Sequence, residues 1–351
     1  MKPVGTVTLK KGREKRIRNF YPWAQRGEVL RADSPGKGEL VRLLDSEGAF
    51  LGIATYNATT RFQIRVLSQK DEPTDEAFFA RRFSRAFDLR RQFDLDSNAA
   101  RMVFSEADQL PGLIIDQFDR TQVLQVRSLG MEKLRDAWLP ALIETSDVDG
   151  IFEKSDMSGR EEESMKPRSE CLYGDVPDEV TISEHGLEFR VPVKHGLKTG
   201  YYLDQRLTRE RWESAIQPGE EVLDAFCYTG AFALHAARAG AKTTGVDIHP
   251  DAIRIARLNA KTNKLDATFI EANAFEWIEA GAEGKGPFDW ILLDPPAIAK
   301  TSAKRDALKW AIWKLVFHSL PQLKPGGRLV VCNCSFQLSL SETIETCRLP
   351  A

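Results

Sequence analysis

The sequence predicts a multidomain chain: an N-terminal β-barrel, an α+β centre, and a C-terminal α/β domain built on a doubly wound parallel sheet. Three observations predict this. Residues 1–70 break into short β-rich segments (VTLKK, GELVRLLDSEG, FLGIATYN, RFQIRVLS) separated by Gly, Asn, Asp and Ser turns. From about residue 196, strand-length apolar runs alternate with helical spacing. At 351 residues the chain exceeds one ordinary core. The expected domains are 1–70, 71–190 and 191–351.

Apolar residues make up 42% and charged residues 28%, the balance of a soluble globular protein. No run of about 18 uncharged apolar residues is present, so no membrane helix is expected. The basic N-terminus has no apolar segment behind it and does not read as a secretory signal. Five irregularly spaced cysteines argue against a disulfide framework and for a reducing cytoplasm. No paired clusters have the spacing of a zinc site.

Charge is unevenly distributed. Residues 1–70 carry 14 Lys+Arg against 6 Asp+Glu, whereas the remainder carries 35 against 45. A basic module on an acidic body suits a polyanion partner. Lys10, Lys11, Arg13, Lys15, Arg16 and Arg18 crowd one region beside Phe20, Tyr21 and Trp23. Cations with neighbouring aromatic faces suit nucleic acid, although Trp23 reads better as core.

In chain order, DEPTDEAF reads as a linker into a helix over 78–93, with Phe79, Phe83, Phe87 and Phe93 on one stripe. RMVFSEA, LIIDQF and VLQVRSL read as strands, and MEKLRDAWLPALIE as one helix. Residues 153–170 read as an exposed charged loop. Beyond 196 the expected strands are EVLDAFC, TTGVDI, ATFIEA, WILLDPP and GRLVVCNCS, with helices between them. Ligands of such sheets bind beyond the carboxyl ends of the strands.

The chemistry-bearing residues fall at those ends. DAFCYTGAF places Asp224, Phe226, Tyr228 and Gly230 at the first strand-to-helix turn. VDI places Asp247 and Ile248 at the tip of the second strand, where a carboxylate can accept both ribose hydroxyls. EANAF places Asn273 and Ala274 after the third, with Asn273 able to meet an adenine edge. The phosphate-cradling G-x-G-x-x-G pattern is missing, which favours S-adenosylmethionine over NAD. In KTGYYLDQR, Gln205 and Arg206 can close over the methionine end of that cofactor; an internal ion pair is the competing reading.

Asp294 in DPP follows the fourth strand and faces the cleft; Ala297 stands where amino-group methyltransferases carry a stacking aromatic. Cys332 and Cys334 at the end of the fifth strand approach the same cleft. A cysteine adding to carbon 6 of a cytosine would activate carbon 5 for methylation. Alternating strand positions share a face, so spacing does not choose between them. Cys334, nearer the tip and before Ser335, is the preferred nucleophile. Cys227 reads as packing beneath the cofactor, and Cys171 and Cys347 as structural.

Taken together these motifs resemble the RlmI-like 23S rRNA cytosine-5 methyltransferases over nearly the whole chain. LKKGREKRIRNFYPWAQRGEV is similar to the start of that family's RNA-binding PUA domain. KTGYYLDQR, DAFCYTGAFALHAARAGA, VDIHPDAIRIARLNA, LLDPPAIAK and CNCS are similar to its class I methyltransferase domain, in order. The resemblance implies S-adenosylmethionine as cofactor, ribosomal RNA as partner, and Cys334 as nucleophile. Asn273 stands where that family usually has Asp, and Ile298 where an aromatic is common. The resemblance also implies two further strands, whereas here SLSETIETCRLPA runs to Ala351. Either the chain is truncated and the edge of the fifth strand is left unpaired, or a second copy, as in a homodimer, or another element covers it. Two rival readings are a guanine-nitrogen rRNA methyltransferase, which needs no cysteine, and a catalytically inactive RNA-binding assembly factor.

Overall fold

The computed structural model describes residues 1–33, 35–93, 95–297 and 302–350. It divides into two compact units, Met1–Ser183 with Val191–Leu203, and Glu184–Arg190 with Asp204–Ala351.

In the first unit, six short strands between Gly5 and Ser68 form one curled sheet. One face packs Val7, Leu9, Ile17, Val41, Leu43, Ala54 and Ile64 around itself. Leu40, Ile53 and Leu67 instead share a core with the helix Glu76–Arg91. This shared core explains why the expected break near residue 70 separates sequence segments and not compact units. The helix starts earlier than its Phe stripe suggested. Asp75 caps it by accepting from the Phe78 N–H (3.0 Å). Phe78, Phe79, Phe83 and Phe87 are buried, while Phe93 lies past the helix end and is exposed.

A second sheet of the same unit orders Arg168–Gly174, Gly150–Ser155, Thr121–Val126, Leu113–Phe118 and Ala99–Phe104. The single helix expected over MEKLRDAWLPALIE is two, Leu129–Lys133 and Arg135–Thr145, broken at Leu134. The charged stretch at 153–170 is not the exposed loop expected. Glu153, Arg160 and Glu163 are buried because guanidinium partners follow them in: Arg135 holds Glu153 at 2.7 Å, and Arg65 holds Glu163 at 3.1 Å.

The second unit carries the parallel sheet, whose strands are numbered one to five in chain order: Glu221–Ala225, Lys242–Asp247, Ala267–Glu271, Phe288–Leu293 and Leu323–Val331. Their spatial order is 3-2-1-4-5, and every pairing is parallel. Leu223, Ala225, Ile291 and Leu293 face one layer of helices, with Trp277, Ile278, Leu308, Ile312 and Leu315. Val222, Trp290 and Leu292 face the other, with Trp212 and Phe232. Period-two alternation with both faces covered is what a doubly wound sheet requires. The order reverses between strands one and four, so the switch-point crevice opens where Asp224 and Asp294 stand.

Strand five departs from expectation. It ends at Val331, and Cys332–Ser335 form the loop beyond it. The Asn333 side chain explains the exit: its Oδ1 accepts from the Ser335 N–H (3.0 Å), and its Nδ2 donates to Thr343 Oγ1 (3.0 Å). The two cysteines therefore do not share a strand face. Among the described residues, no helix is long and apolar enough to cross a membrane.

Candidate cofactor and nucleophile site

The turn after strand one is built from unusual backbone. Phe226, Tyr228 and Gly230 have φ of +69°, +48° and +83°. A Cβ on Gly230 would lie 2.8 Å from the Phe269 ring and 3.1 Å from Ala256, so only glycine fits. The non-glycine strain is held by hydrogen bonds: the Phe226 and Cys227 N–H groups both donate to the Val246 carbonyl (2.8 and 3.0 Å). Cys227 is buried beneath the turn, and burial raises its thiol pKa well above the usual range.

Asp247 braces this turn. Its Oδ2 accepts from the Tyr228 N–H and its Oδ1 from the His249 N–H, each at 2.9 Å. A carboxylate offers about four lone-pair sites, so capacity for ribose hydroxyls remains. Asp224 is fully buried; one oxygen accepts from the Ala233 N–H (2.9 Å), while the other has no hydrogen-bond partner. Burial, aided by Asp294 and Asp247, pushes its pKa up to about 8. Burial, with Asp204 beside it, pushes Asp294 up to about 6; the Arg209 charge opposes this.

Asn273 is the N-cap of the helix Ala274–Glu279. Its Oδ1 accepts from the Phe275 N–H (3.1 Å), and its Nδ2 donates to Glu276 (2.9 Å). The oxygen expected to meet an adenine amino group is thus already engaged by the cap. Ala274 is buried and Ile248 exposed. Phe226 and Phe275 meet edge-to-face at 5.0 Å, an apolar wall of which the motif reading took only Phe226.

Arg206 corrects the reading of KTGYYLDQR. It is buried against Glu184 (3.4 Å), while Arg209 clamps the same carboxylate at 2.6 and 2.8 Å. Its charge is spent inside the fold, so the internal ion pair is the reading the structure supports. Glu184 and Arg209 were missed because a lone Glu and a helical Arg carry no motif; the signal available was Arg206 and Arg209 three apart, on one helix face. The Gln205 side chain favours the Cys332 thiolate, against the larger effect of burial.

That thiol is pushed up to about 12 by burial and by the charges of Asp294 and Asp224. Cys334 is exposed, with its Sγ 4.0 Å from the Pro295 carbonyl oxygen of the Asp-Pro-Pro turn. Ile298 lies outside the described residues. Among the described residues there is no cluster of ligands able to hold a metal ion.

In the first unit, Lys10, Lys11, Arg13, Lys15, Arg16 and Arg18 are all exposed. Arg13 and Arg16 approach Glu28 (3.7 and 3.5 Å), and Arg18 pairs with Asp45 (2.7 Å). The three lysines have no ion pair among the described residues. Trp23 is half-buried, its ring against Tyr21 and Phe62 and its Nε1–H donating to Glu106 (2.8 Å).

A 3-2-1-4-5 parallel sheet, a glycine turn after strand one and a carboxylate at the tip of strand two define a class I methyltransferase. The matching family models agree: a PUA-like domain over residues 7–69 and an S-adenosylmethionine-dependent methyltransferase over 160–345. An S-adenosylmethionine-dependent methyltransferase structure from Streptococcus mutans shares the fold with a TM-score of 0.82 at 22% identity, over 98% of this chain and 90% of that one. Curated relatives named ribosomal RNA large subunit methyltransferase I are 33% identical in Vibrio parahaemolyticus and 34% identical in Pseudoalteromonas translucida, each covering 94% of this chain and 85% of the relative. The chain belongs to the ribosomal RNA large subunit methyltransferase I family.

The donor set fits the cofactor. S-adenosylmethionine carries a sulfonium and an ammonium, and the crevice presents Asp224, Asp247 and Asp294, one with an unpartnered buried oxygen. A cationic ligand favours the ionised carboxylates, so binding should release protons from Asp294 and Asp224. Affinity should rise with pH and level off above about 8, by roughly tenfold per pH unit for the Asp224 proton between about 6 and 8, and more steeply below about 6, where Asp294 also releases its proton. Calorimetry in buffers of different ionisation enthalpy counts those protons; equal affinity at both ends of the window would contradict the assignment.

Proposed function

We propose that this chain forms 5-methylcytosine in large-subunit ribosomal RNA in the cytoplasm, with Cys334 as nucleophile. The names of its relatives support the RNA substrate. The observation that carries the chemistry is the placement of the exposed Cys334 thiol against the Asp-Pro-Pro turn, 4.0 Å from the Pro295 carbonyl. This puts a thiol and the Asp294 carboxyl on adjacent strand ends.

Bound S-adenosylmethionine supplies the methyl group as a sulfonium. Asp247 would hold its ribose, and the Phe226–Phe275 wall its adenine. The Cys334 thiolate adds to carbon 6 of the cytosine, and the electron pair moves to carbon 5, which takes the methyl. Transfer of the carbon 5 proton to a solvent base then re-forms the ring double bond, breaks the sulfur–carbon 6 bond and returns the thiolate. Asp294, titrating near neutrality, orients the ring through a hydrogen bond at its polar edge. The base must leave its stack to reach the crevice. Cys332, whose thiol is held neutral, supports the choice of Cys334.

Mass spectrometry of ribosomal RNA from cells with and without this protein tests the reading. One 5-methylcytosine should disappear from the large-subunit RNA. A missing methylguanosine instead would select the guanine-nitrogen alternative, and no change would select the inactive assembly factor.

A further inference from the structure

The helix Glu14–Arg18 ends in a Schellman motif. The Tyr21 N–H donates to the Arg16 carbonyl (2.9 Å), and the Phe20 N–H to the Ile17 carbonyl (3.0 Å). The Arg16 guanidinium stacks 3.8 Å over the Tyr21 ring, closing the contact that accompanies this motif. Phe20 thus occupies the left-handed position, φ +63°, that such caps reserve for glycine. The residue is 78% exposed, so burial does not compensate for the strain.

An aromatic residue that is strained and solvent-facing serves the fold poorly at this position. Its neighbours show what it suits. Lys15, Arg16 and Arg18 precede it on the helix, and Lys10 and Lys11 lie in the turn before that helix, all exposed. Lys10, Lys11 and Lys15 keep their charges free of ion pairs among the described residues. An exposed aromatic face with such cations close by in the chain matches a base with its flanking phosphates.

We propose that Phe20 is a stacking platform for an unpaired base of the substrate RNA, away from the base that is methylated, with Lys10, Lys11 and Lys15 holding the adjoining phosphates. This rests on the RNA-modifying reading above and specifies what the N-terminal surface takes: an unstacked nucleotide and not a continuous duplex.

Fluorescence anisotropy on the full chain tests it with two labelled probes, an RNA hairpin with an unpaired adenosine loop and a blunt RNA duplex of equal length. Phe20→Gly should weaken hairpin binding about tenfold and leave duplex binding unchanged, while Phe20→Trp retains hairpin affinity. Melting temperature should stay level or rise in Phe20→Gly, because glycine relieves the left-handed strain. Combined Lys10→Ala, Lys11→Ala and Lys15→Ala should weaken both probes and make the salt dependence shallower by about two. If Phe20→Gly binds the hairpin like wild type while the lysine variant weakens it, the platform is wrong and the RNA reading stands. If wild type binds neither probe, both fall. A melting temperature lowered by more than about 3 °C in Phe20→Gly would make Phe20 a packing residue and overturn the proposal.

Discussion

Cys334→Ala will lose turnover by about a thousandfold or more while retaining S-adenosylmethionine binding, and Cys332→Ala will keep most activity. The two thiols stand two residues apart in different surroundings. Burial and the charges of Asp294 and Asp224 push the Cys332 thiol up to about 12, and a neutral thiol is a weak nucleophile. Cys334 is exposed beside the Asp-Pro-Pro turn, where a base brought into the crevice would meet it. Single-turnover methylation with labelled cofactor, alongside calorimetry for binding, measures both quantities. Full activity in Cys334→Ala would remove the covalent route and favour methylation of a guanine nitrogen. Loss in Cys332→Ala alone would exchange the roles of the two thiols.

Glu184→Gln will destabilise the C-terminal unit by about 3–5 kcal/mol, because it removes the carboxylate that two buried guanidiniums share. Glu184 is fully buried; Arg209 grips both its oxygens, Arg206 adds a third contact, and His235 Nε2 stands 3.7 Å away. Burial alone would raise the Glu184 pKa. The nearby His235, the hydrogen bonds from Arg209, and the charges of Arg209 and Arg206 override it and hold the group well below the usual carboxylate range. Glu213 follows the same logic: burial opposes, while His235 and Arg238 bring it down to about 2. Groups depressed in the folded state stabilise it above their ordinary value of about 4.5 and lose that contribution as pH falls toward 2. Acid unfolding of wild type should therefore fall within that window, and Glu184→Gln should flatten it. Urea unfolding followed by circular dichroism at several pH values measures both effects. A change below about 1 kcal/mol would mean that the network contributes little.

Much of this was legible in the primary structure because it is periodic or local. Strand–helix alternation predicted the parallel sheet, since a strand covered on both faces must be apolar throughout. Gly230 and Asp247 were legible because a left-handed turn and a carboxylate at a strand tip have short-range signatures. The starts of helices were less so: Asp75, not the first Phe of the stripe, sets the start of Glu76–Arg91, because a cap hydrogen bond outweighs spacing.

Charge pairing over long separations was not legible. Arg206 sits in a motif suggestive of a cofactor contact, yet its guanidinium is taken by Glu184, twenty-two residues earlier, and only folding brings the two together. The charged stretch at 153–170 looked exposed until Arg65 and Arg135 proved to reach Glu163 and Glu153. The sequence alone determined the order of the elements, the cofactor class and the pair of candidate thiols, because those depend on residue type and spacing. Tertiary structure decided which charges are spent internally and which of Cys332 and Cys334 faces outward, because burial and partner geometry depend on residues far apart in the chain.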